Sequence, residues 1–423
     1  MQTVPPQQET PPWRDQRFLV FATGNFVNNL GESAYKVGLP LYLYQLTGSL
    51  TVMSLTAALA PAVLLVSPWV GAMVDRWGPR LFVVPGLAVQ LVGAVGLNLC
   101  LAGAHVSPAV LFPLAALVQL GGELYRTGWI TGVRTMFPAN PARSRAVLSS
   151  LFTASNIAGP LLVAAGAGLV GYLGLLWFNA ATFLAPVAVW LLGIRPPAKA
   201  RPAPGPRRPG LGREILDGWH VIRREKRVLY AELASLPLQF VSGVGMLTFL
   251  VWYLRSQQGA STGTVSLAQG LANAGALAGS TYVAARATAR PHVVLAVAAA
   301  VMTAATLAMG FAPVPVFVLC MTAFFTMRSA VTGVAAVVSV RHLPADVLGR
   351  AEGLFNLISG LPLLLAPLAV PVVQAHFGPT AVFLLLGATA ALAIPAVALL
   401  APFSGSGGPS PSAQAKPTTA AAR

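Results

Sequence analysis

GAMVDRWGPR, residues 71–80, separates two long stretches that contain no Asp, Glu, Lys or Arg. These charge-free stretches cover residues 37–74 and 81–122. About 20 apolar residues cross the hydrocarbon core of a bilayer once as a helix, so a charge-free stretch of about 40 holds two crossings and a tight turn. The decapeptide is therefore predicted to be a charged loop between two membrane hairpins.

Working outward from this loop, the rest of the chain shows the same pattern of charges. Residues 146–194, 291–327 and 353–415 are also charge-free. Lipid-exposed backbone must satisfy its own hydrogen bonds, and runs this apolar do not alternate like barrel strands, so we predict an all-α membrane protein with twelve transmembrane helices in two six-helix bundles. The predicted spans are 18–45, 50–74, 81–103, 109–133, 146–170, 174–194, 228–254, 263–285, 292–312, 315–340, 351–374 and 380–402.

The overall composition argues against a soluble protein. Of the 423 residues, 56% are hydrophobic and only 9% are charged, whereas soluble domains carry about 25% charged residues. The net charge of +16 is spread between apolar runs instead of forming one basic patch, so no nucleic-acid partner is expected. The two cysteines, Cys100 and Cys320, are far apart, and the five histidines fall near loops or span ends. We therefore predict no disulfide, no metal site and no cofactor.

The positions of Lys and Arg predict the orientation in the membrane. Of the 27 basic residues, 23 fall on one set of alternate loops and on the two termini. The positive-inside rule then places both termini in the cytoplasm, in a multi-pass protein of the bacterial inner (plasma) membrane. The N-terminus lacks the basic region and small-residue cleavage site of a signal peptide, so the first span is expected to be retained.

The same pattern divides the chain into five segments. We predict a cytoplasmic tail at 1–17, a six-helix bundle at 18–194, a basic linker at 195–227, a second bundle at 228–402 and a disordered tail at 403–423. The linker begins with a Pro-rich run, and its later part mixes apolar and charged residues. That later part, residues 213–227, is expected to form an amphipathic helix at the inner leaflet, and the alternative is a solvated loop.

The decapeptide resembles motif A of the major facilitator superfamily, in both residue spacing and position between spans 2 and 3. The matching residues are Gly71, Asp75, Arg76, Gly78 and Arg80. The resemblance covers about residues 17–402. Features such as the segment at 46–49 and Phe178-Asn179-Ala180 are similar to those of the macrolide-efflux and enterobactin-exporter branch.

This resemblance implies two bundles that alternate between facing one side of the membrane and the other. It also implies that motif A is a conformational latch, which holds one state of that cycle. Physically, Gly71 permits a close helix approach, Asp75 can accept hydrogen bonds or pair with an arginine, and Arg76 and Arg80 suit an anionic leaflet. The alternative, that these charges only set topology, fits Arg80 better than Asp75.

Span 5 carries a second, partial resemblance. Gly159-Pro160 occupies the place where the family's exporter motif has Gly-Pro, which implies a helix-packing role. The glycines that precede it in that motif are replaced here by Ser155 and Ala146. Small residues are kept, although the case for drug–proton antiport is weaker than for a full motif.

Five charged residues fall deep inside predicted spans, where a charge costs at least about 2.5 to 3.5 kcal/mol on insertion scales. Glu32 and Lys36 lie in span 1, Glu123 and Arg126 in span 4, and Arg328 in span 10. The resemblance implies that spans 1, 4, 7 and 10 line a central cavity. The i,i+4 and i,i+3 spacings allow each carboxylate to pair within its own helix, so proton coupling, substrate binding and structural pairing all remain open. Arg328 has no acidic neighbour on its helix.

These features favour a secondary active transporter over the other classes of membrane protein. We expect proton-coupled export of a small amphiphilic molecule by a monomer that contacts substrate, protons and membrane lipids. The alternatives are an uncoupled facilitator, a transporter of lipid-like substrates and a protein that does not transport. No catalytic cluster is present and no Gly-x-x-x-x-Gly-Lys-Ser/Thr loop occurs, so neither an enzyme nor direct ATP hydrolysis is expected.

Overall fold

The computed structural model describes residues 12–103, 107–138, 141–197, 220, 223–286, 291–342 and 345–400. Within these ranges the regular structure is helical: one short 3₁₀ helix, Pro12–Arg14, and thirteen α-helices. Most of the predicted linker and the whole predicted C-terminal tail lie outside the described residues, as does most of the predicted amphipathic helix.

The first half of the chain forms six of these helices. They are α1 Gln16–Thr47, α2 Leu50–Trp77, α3 Arg80–Ala102, α4 Pro108–Met136, α5 Pro141–Thr182 and α6 Leu184–Leu191. Local sequence explains several of their ends. The Asp15 carboxylate accepts a hydrogen bond from the Arg17 amide at the start of α1, Gly48 ends α1 in the left-handed region at φ 62°, and the Ser49 hydroxyl caps α2.

The second half forms the other seven. They are α7 Lys226–Ser242, α8 Val244–Ser256, α9 Thr262–Arg286, α10 Pro291–Met309, α11 Val314–His342, α12 Ala345–Ala391 and α13 Ala393–Leu400. The predicted span 228–254 is thus two helices, α7 and α8, which meet at an extended Gly243 with φ −69° and ψ 178°.

Two of the helical stretches are long enough to cross a bilayer twice. Val147–Leu191 has 45 residues and Leu357–Ala398 has 42, and each contains a glycine with positive φ, Gly171 at 68° and Gly378 at 80°. At Gly171 the chain folds back on itself. A Cβ on Gly159 would meet Ser33 of α1, and a Cβ on Gly31 of α1 would meet Thr182, so both arms of α5 lie at the same level of α1.

The described residues therefore form twelve spans, as the sequence predicted. By length and hydropathy alone eight stretches could cross a membrane. The two long ones each supply two spans, and α1 and α9, which are more polar, complete the set. Spans 1 to 4 are α1 to α4; α5 with α6 supplies spans 5 and 6; α7 with α8 is span 7; α9, α10 and α11 are spans 8, 9 and 10; α12 with α13 supplies spans 11 and 12.

The spans pack as two groups with a seam between them. Within the first group α1 packs on α5, and α3 packs on α4. Within the second, α11 packs on both α9 and α10. Across the seam, α2 contacts α8 and α12, while α5 contacts α9. This is the arrangement of two six-helix bundles.

Gly159 is a point of close approach between spans 1 and 5. A Cβ built on it would overlap the Ser33 side chain and would lie 2.8 Å from the Ser33 backbone carbon. Small residues at such a crossing let helix backbones approach, which is how membrane helices gain packing energy without a hydrophobic effect. Pro160 follows directly and lies inside the helix.

We expect Gly159→Ala to destabilise the protein by about 1 to 3 kcal/mol, because the added methyl group must push spans 1 and 5 apart. Gly168→Ala, on the same arm of α5, is the matched control, since a Cβ there would meet nothing within 4 Å. The measurement is thermal unfolding of the purified full-length chain in detergent. Equal melting temperatures for the two variants would contradict the packing role of Gly159.

Candidate functional site

The two ends of the molecule differ in charge and can be named accordingly. Arg76 and Arg80 lie at one end, which we call the basic end, beside Arg223 and Arg224 before span 7. The opposite end carries the turns after spans 1, 3, 5, 7, 9 and 11. Charges that lie between these two ends are inside the membrane, and they form the candidate site.

On span 1, Glu32 and Lys36 form an ion pair of 2.7 Å between Oε1 and Nζ. Their side chains are 33% and 43% exposed, so neither is sealed in the bundle. The Lys36 ammonium also lies 5.9 Å from the ring centroid of Phe152 on span 5. The i,i+4 pairing was predictable from the sequence, whereas Phe152 was not, because its contact with Lys36 depends on helix packing.

On span 4, Glu123 and Arg126 form the second ion pair, and the Thr127 hydroxyl donates a second hydrogen bond to Glu123 Oε1 at 3.2 Å. The two partners differ sharply in exposure, because Glu123 is only 5% exposed and Arg126 is 51% exposed. Glu123 is therefore held from two sides inside the bundle, while the guanidinium reaches outward.

The two ion pairs act as one electrostatic group. The Arg126 guanidinium interacts electrostatically with Glu32 across the gap between spans 4 and 1. Towards the basic end the same two spans are joined by aromatic rings, with centroid distances of 4.7 Å for Phe21–Trp129 and 5.2 Å for Phe18–Phe137. The structure thus brings together four of the five deep charges that the sequence singled out.

The fifth, Arg328, lies alone on span 10 in the second bundle. Its guanidinium carbon is 5.6 Å from the ring centroid of Phe325, and the side chain is half-buried. Among the described residues no carboxylate forms an ion pair with it. The predicted site is consequently divided between the two bundles.

Hydrogen bonds join the two bundles between the deep charges and the opposite end of the molecule. The Tyr172 and Thr262 hydroxyls are 2.6 Å apart, and Asn273 Nδ2 donates a hydrogen bond to the Asn156 carbonyl at 2.5 Å. Along span 1, Leu43 and Leu39 are buried while Lys36 is exposed. The contacts that join the bundles therefore lie towards the opposite end, and Lys36, on the basic-end side of Leu39 and Leu43, is exposed.

Motif A lies at the basic end, away from the deep charges. Gly78 ends α2 with φ 90°, which lets the chain turn into α3, and the Arg80 guanidinium lies 5.9 Å from the Trp190 ring. The Asp75 side chain is outside the described residues. The close approach expected at Gly71 is absent in this conformation, because a Cβ there would meet no described atom within 4 Å.

Comparison with solved structures shows a shared fold at low sequence identity. A POT family transporter in complex with a thioalcohol-conjugated peptide has a TM-score of 0.74 and 12% identity, over 94% of this chain and 99% of that one. A bacterial homologue of the iron transporter ferroportin in its inward-facing state gives 0.70 and 15%, over 92% and 99%. The nucleoside transporter NupG gives 0.68 and 14%, over 91% and 99%.

Sequence comparison identifies the family. No curated protein matches the chain significantly. The model of the Major Facilitator Superfamily matches residues 21–362, which is most of the chain. With twelve spans in two bundles and ion pairs at membrane depth, the chain is a multi-pass membrane protein that belongs to the Major Facilitator Superfamily of secondary transporters.

Proposed function

We propose that this chain is a proton-coupled exporter of a small amphiphilic molecule in the bacterial inner membrane. The basic end faces the cytoplasm in this proposal, so both termini are cytoplasmic. The two bundles, residues 18–194 and 228–402, rock about the cavity and open it to each side in turn. The observation that carries the proposal is the half-exposed Glu32 carboxylate in the network with Lys36 and Arg126.

Glu32 is the better placed of the two deep carboxylates to exchange a proton. Its side chain is 33% exposed in a cavity open to the basic end, and its ion pair is with Lys36 on its own helix. Glu123, by contrast, is buried and accepts hydrogen bonds from both Arg126 and Thr127. In this proposal the carboxylate that water can reach is the one that exchanges a proton as the cavity changes sides.

Protonation of Glu32 would alter the charge balance of the whole network. The neutral acid would release Lys36, and it would remove the attraction that draws Arg126 towards span 1. The loss of these two charge interactions on spans 1 and 4 would change the relative stability of the two bundle orientations. The proton would thereby favour one orientation, and substrate the other.

We expect Glu32→Gln to abolish substrate accumulation driven by a pH gradient, by about tenfold or more, while exchange without a gradient survives. Glu123→Gln is the matched variant. It should lower the melting temperature, because it disturbs a buried pair, and it should reduce gradient-driven accumulation less than Glu32→Gln does. The assay is transport by purified protein in liposomes, with a panel of cationic, neutral and anionic amphiphiles. If gradient-driven accumulation is normal in both Gln variants, neither carboxylate couples protons and the structural pairing is the better account.

Export, as the direction of transport, rests on the resemblance to the macrolide-efflux and enterobactin-exporter branch. Gly159-Pro160 on span 5 supports it, since Gly159 makes the tight helix crossing that the exporter motif requires. The latch role of motif A belongs to the same proposal. The open space at Gly71 fits a latch that is released while the cavity is open to the basic end and closes in the other state.

Asp75→Asn should reduce transport several-fold while leaving insertion and expression unchanged, because the latch assigns Asp75 to the balance between states. Asp15→Asn is the control, since Asn caps a helix as well as Asp does and Asp15 only caps α1. Transport is compared at equal amounts of protein in the liposomes. Wild-type transport by a well-expressed Asp75→Asn protein would refute the latch.

A second candidate is transport of a lipid-like substrate without proton coupling. An apolar groove of about 250 Å³ lies on the seam between spans 2, 4 and 11, which would suit an acyl chain entering from the bilayer. It is lined by Leu55, Ala58, Leu59, Ala62, Phe112, Leu364 and Leu368. Transport that continues unchanged after collapse of the pH gradient would favour this candidate over the first.

A further inference from the structure

The deep charges of the two bundles are paired differently. In the first bundle Glu32 pairs with Lys36 and Glu123 pairs with Arg126. In the second bundle Glu232 is buried on span 7, five residues after Arg227, and Arg328 lies deeper, on span 10. No described carboxylate forms an ion pair with Arg328, so it is the deep cation without an acidic partner among the described residues.

Arg328 is held in place without being neutralised. The Phe325 ring, 5.6 Å from the guanidinium, supports the cation through its π face, and no described atom accepts a hydrogen bond from the five N–H donors. A charge at this depth is costly unless it has a partner or a wet cavity. Among the described residues Arg328 is thus a donor group whose acceptor is not a protein side chain.

The face of span 10 that carries Arg328 points into the cavity. Thr326 packs on Gly275 and Gly279 of span 8, and Arg328 is about 160° further round the helix from Thr326. Along the Arg328 face, Phe317 and Phe324 towards the opposite end are fully buried, whereas Thr332 towards the basic end is exposed. Arg328 lies where this face passes from buried to open.

The two bundles repeat this geometry. Spans 4 and 10 are both helices of 29 residues, Pro108–Met136 and Val314–His342. Arg126 and Thr332 occupy the same position in each, 18 residues beyond the first residue, and both are exposed. Because the exposed Arg126 marks a face of span 4 that the first bundle leaves open, Thr332 marks the matching face of span 10, and Arg328 lies one turn deeper on it.

From this placement we infer that the transported substrate is an amphiphilic organic anion, whose carboxylate or phosphate group binds the Arg328 guanidinium. The inference rests on the proposed transport function and specifies its substrate. A guanidinium takes a carboxylate or phosphate in a two-bond fork, and such charge-assisted bonds are the strong ones in a poorly solvated site. Phe152, an exposed aromatic ring on span 5, offers apolar surface for the rest of the molecule.

Binding of matched probes to the full-length protein in nanodiscs tests this inference. The probes are 1-naphthylacetate, 1-naphthyl phosphate and the neutral 1-naphthylacetamide, which share one apolar body. Wild type should bind the two anions about tenfold more tightly than the amide. Arg328→Gln should remove that preference and change the affinity for the amide by less than about twofold. Arg224→Gln, an exposed arginine outside the spans, should leave all three affinities unchanged.

Arg328→Lys keeps the charge but loses the planar fork, so it should bind the anions several-fold more weakly than wild type and the amide equally well. If gel filtration and the melting temperature show that Arg328→Gln does not fold, Arg328→Lys is the variant that tests the inference. The inference is overturned if wild type binds the amide as tightly as the anions, if it binds none of the three probes, or if both Arg328 variants keep the wild-type anion preference.

Transport by the same wild-type protein separates this inference from the proposed function. Anion binding that depends on Arg328 without any gradient-driven transport would mean that the site is correct and proton coupling is wrong. Gradient-driven transport of neutral or cationic amphiphiles alone would mean that the proposed function holds and the anion assignment is wrong.

Discussion

The hydrocarbon core of a bilayer offers no hydrogen-bond partners and cannot solvate a charge, and the structure follows from that constraint. Every spanning segment must pair its own backbone, which leaves helices, and every deep charge must find a partner or water. Four deep charges in the first bundle meet the constraint by pairing, as Glu32 does with Lys36. Among the described residues Arg328 has an aromatic ring and no carboxylate beside it, which is why we infer that it binds a ligand.

The same constraint explains how much of the fold the sequence predicts. Charges are rare inside a spanning helix, so the lengths of the charge-free gaps predicted the number and position of the membrane hairpins. The turns at Gly171 and Gly378 fall in the short intervals left between predicted spans, at 170–174 and 374–380. The break at Gly243 within span 7 was not predictable, because a glycine in an apolar run carries no sign of whether the helix continues through it.

The site was predictable only as far as single helices determine it. The spacing of Glu32 and Lys36 predicted their pairing, but the contact of Phe152 with Lys36 depends on how spans 1 and 5 pack. The close approach expected at Gly71 stays a prediction, because this structure shows open space there in one conformation only. Motif residues at the basic end make contacts that depend on which way the cavity opens, and a sequence does not specify one state of a two-state protein.

The central claim is that the two bundles open the cavity at one end while closing it at the other. Spin-label distances measured in liposomes test it most directly, with one pair at the basic end, Arg76 and Arg224, and one at the opposite end, Thr51 and Gln257, all exposed in the structure. Bound substrate should shorten the basic-end distance and lengthen the opposite-end distance in the same sample, and a pH gradient should change both distances in the reverse sense. Distances that stay fixed at both ends, or that change at both ends in the same direction, would contradict the account.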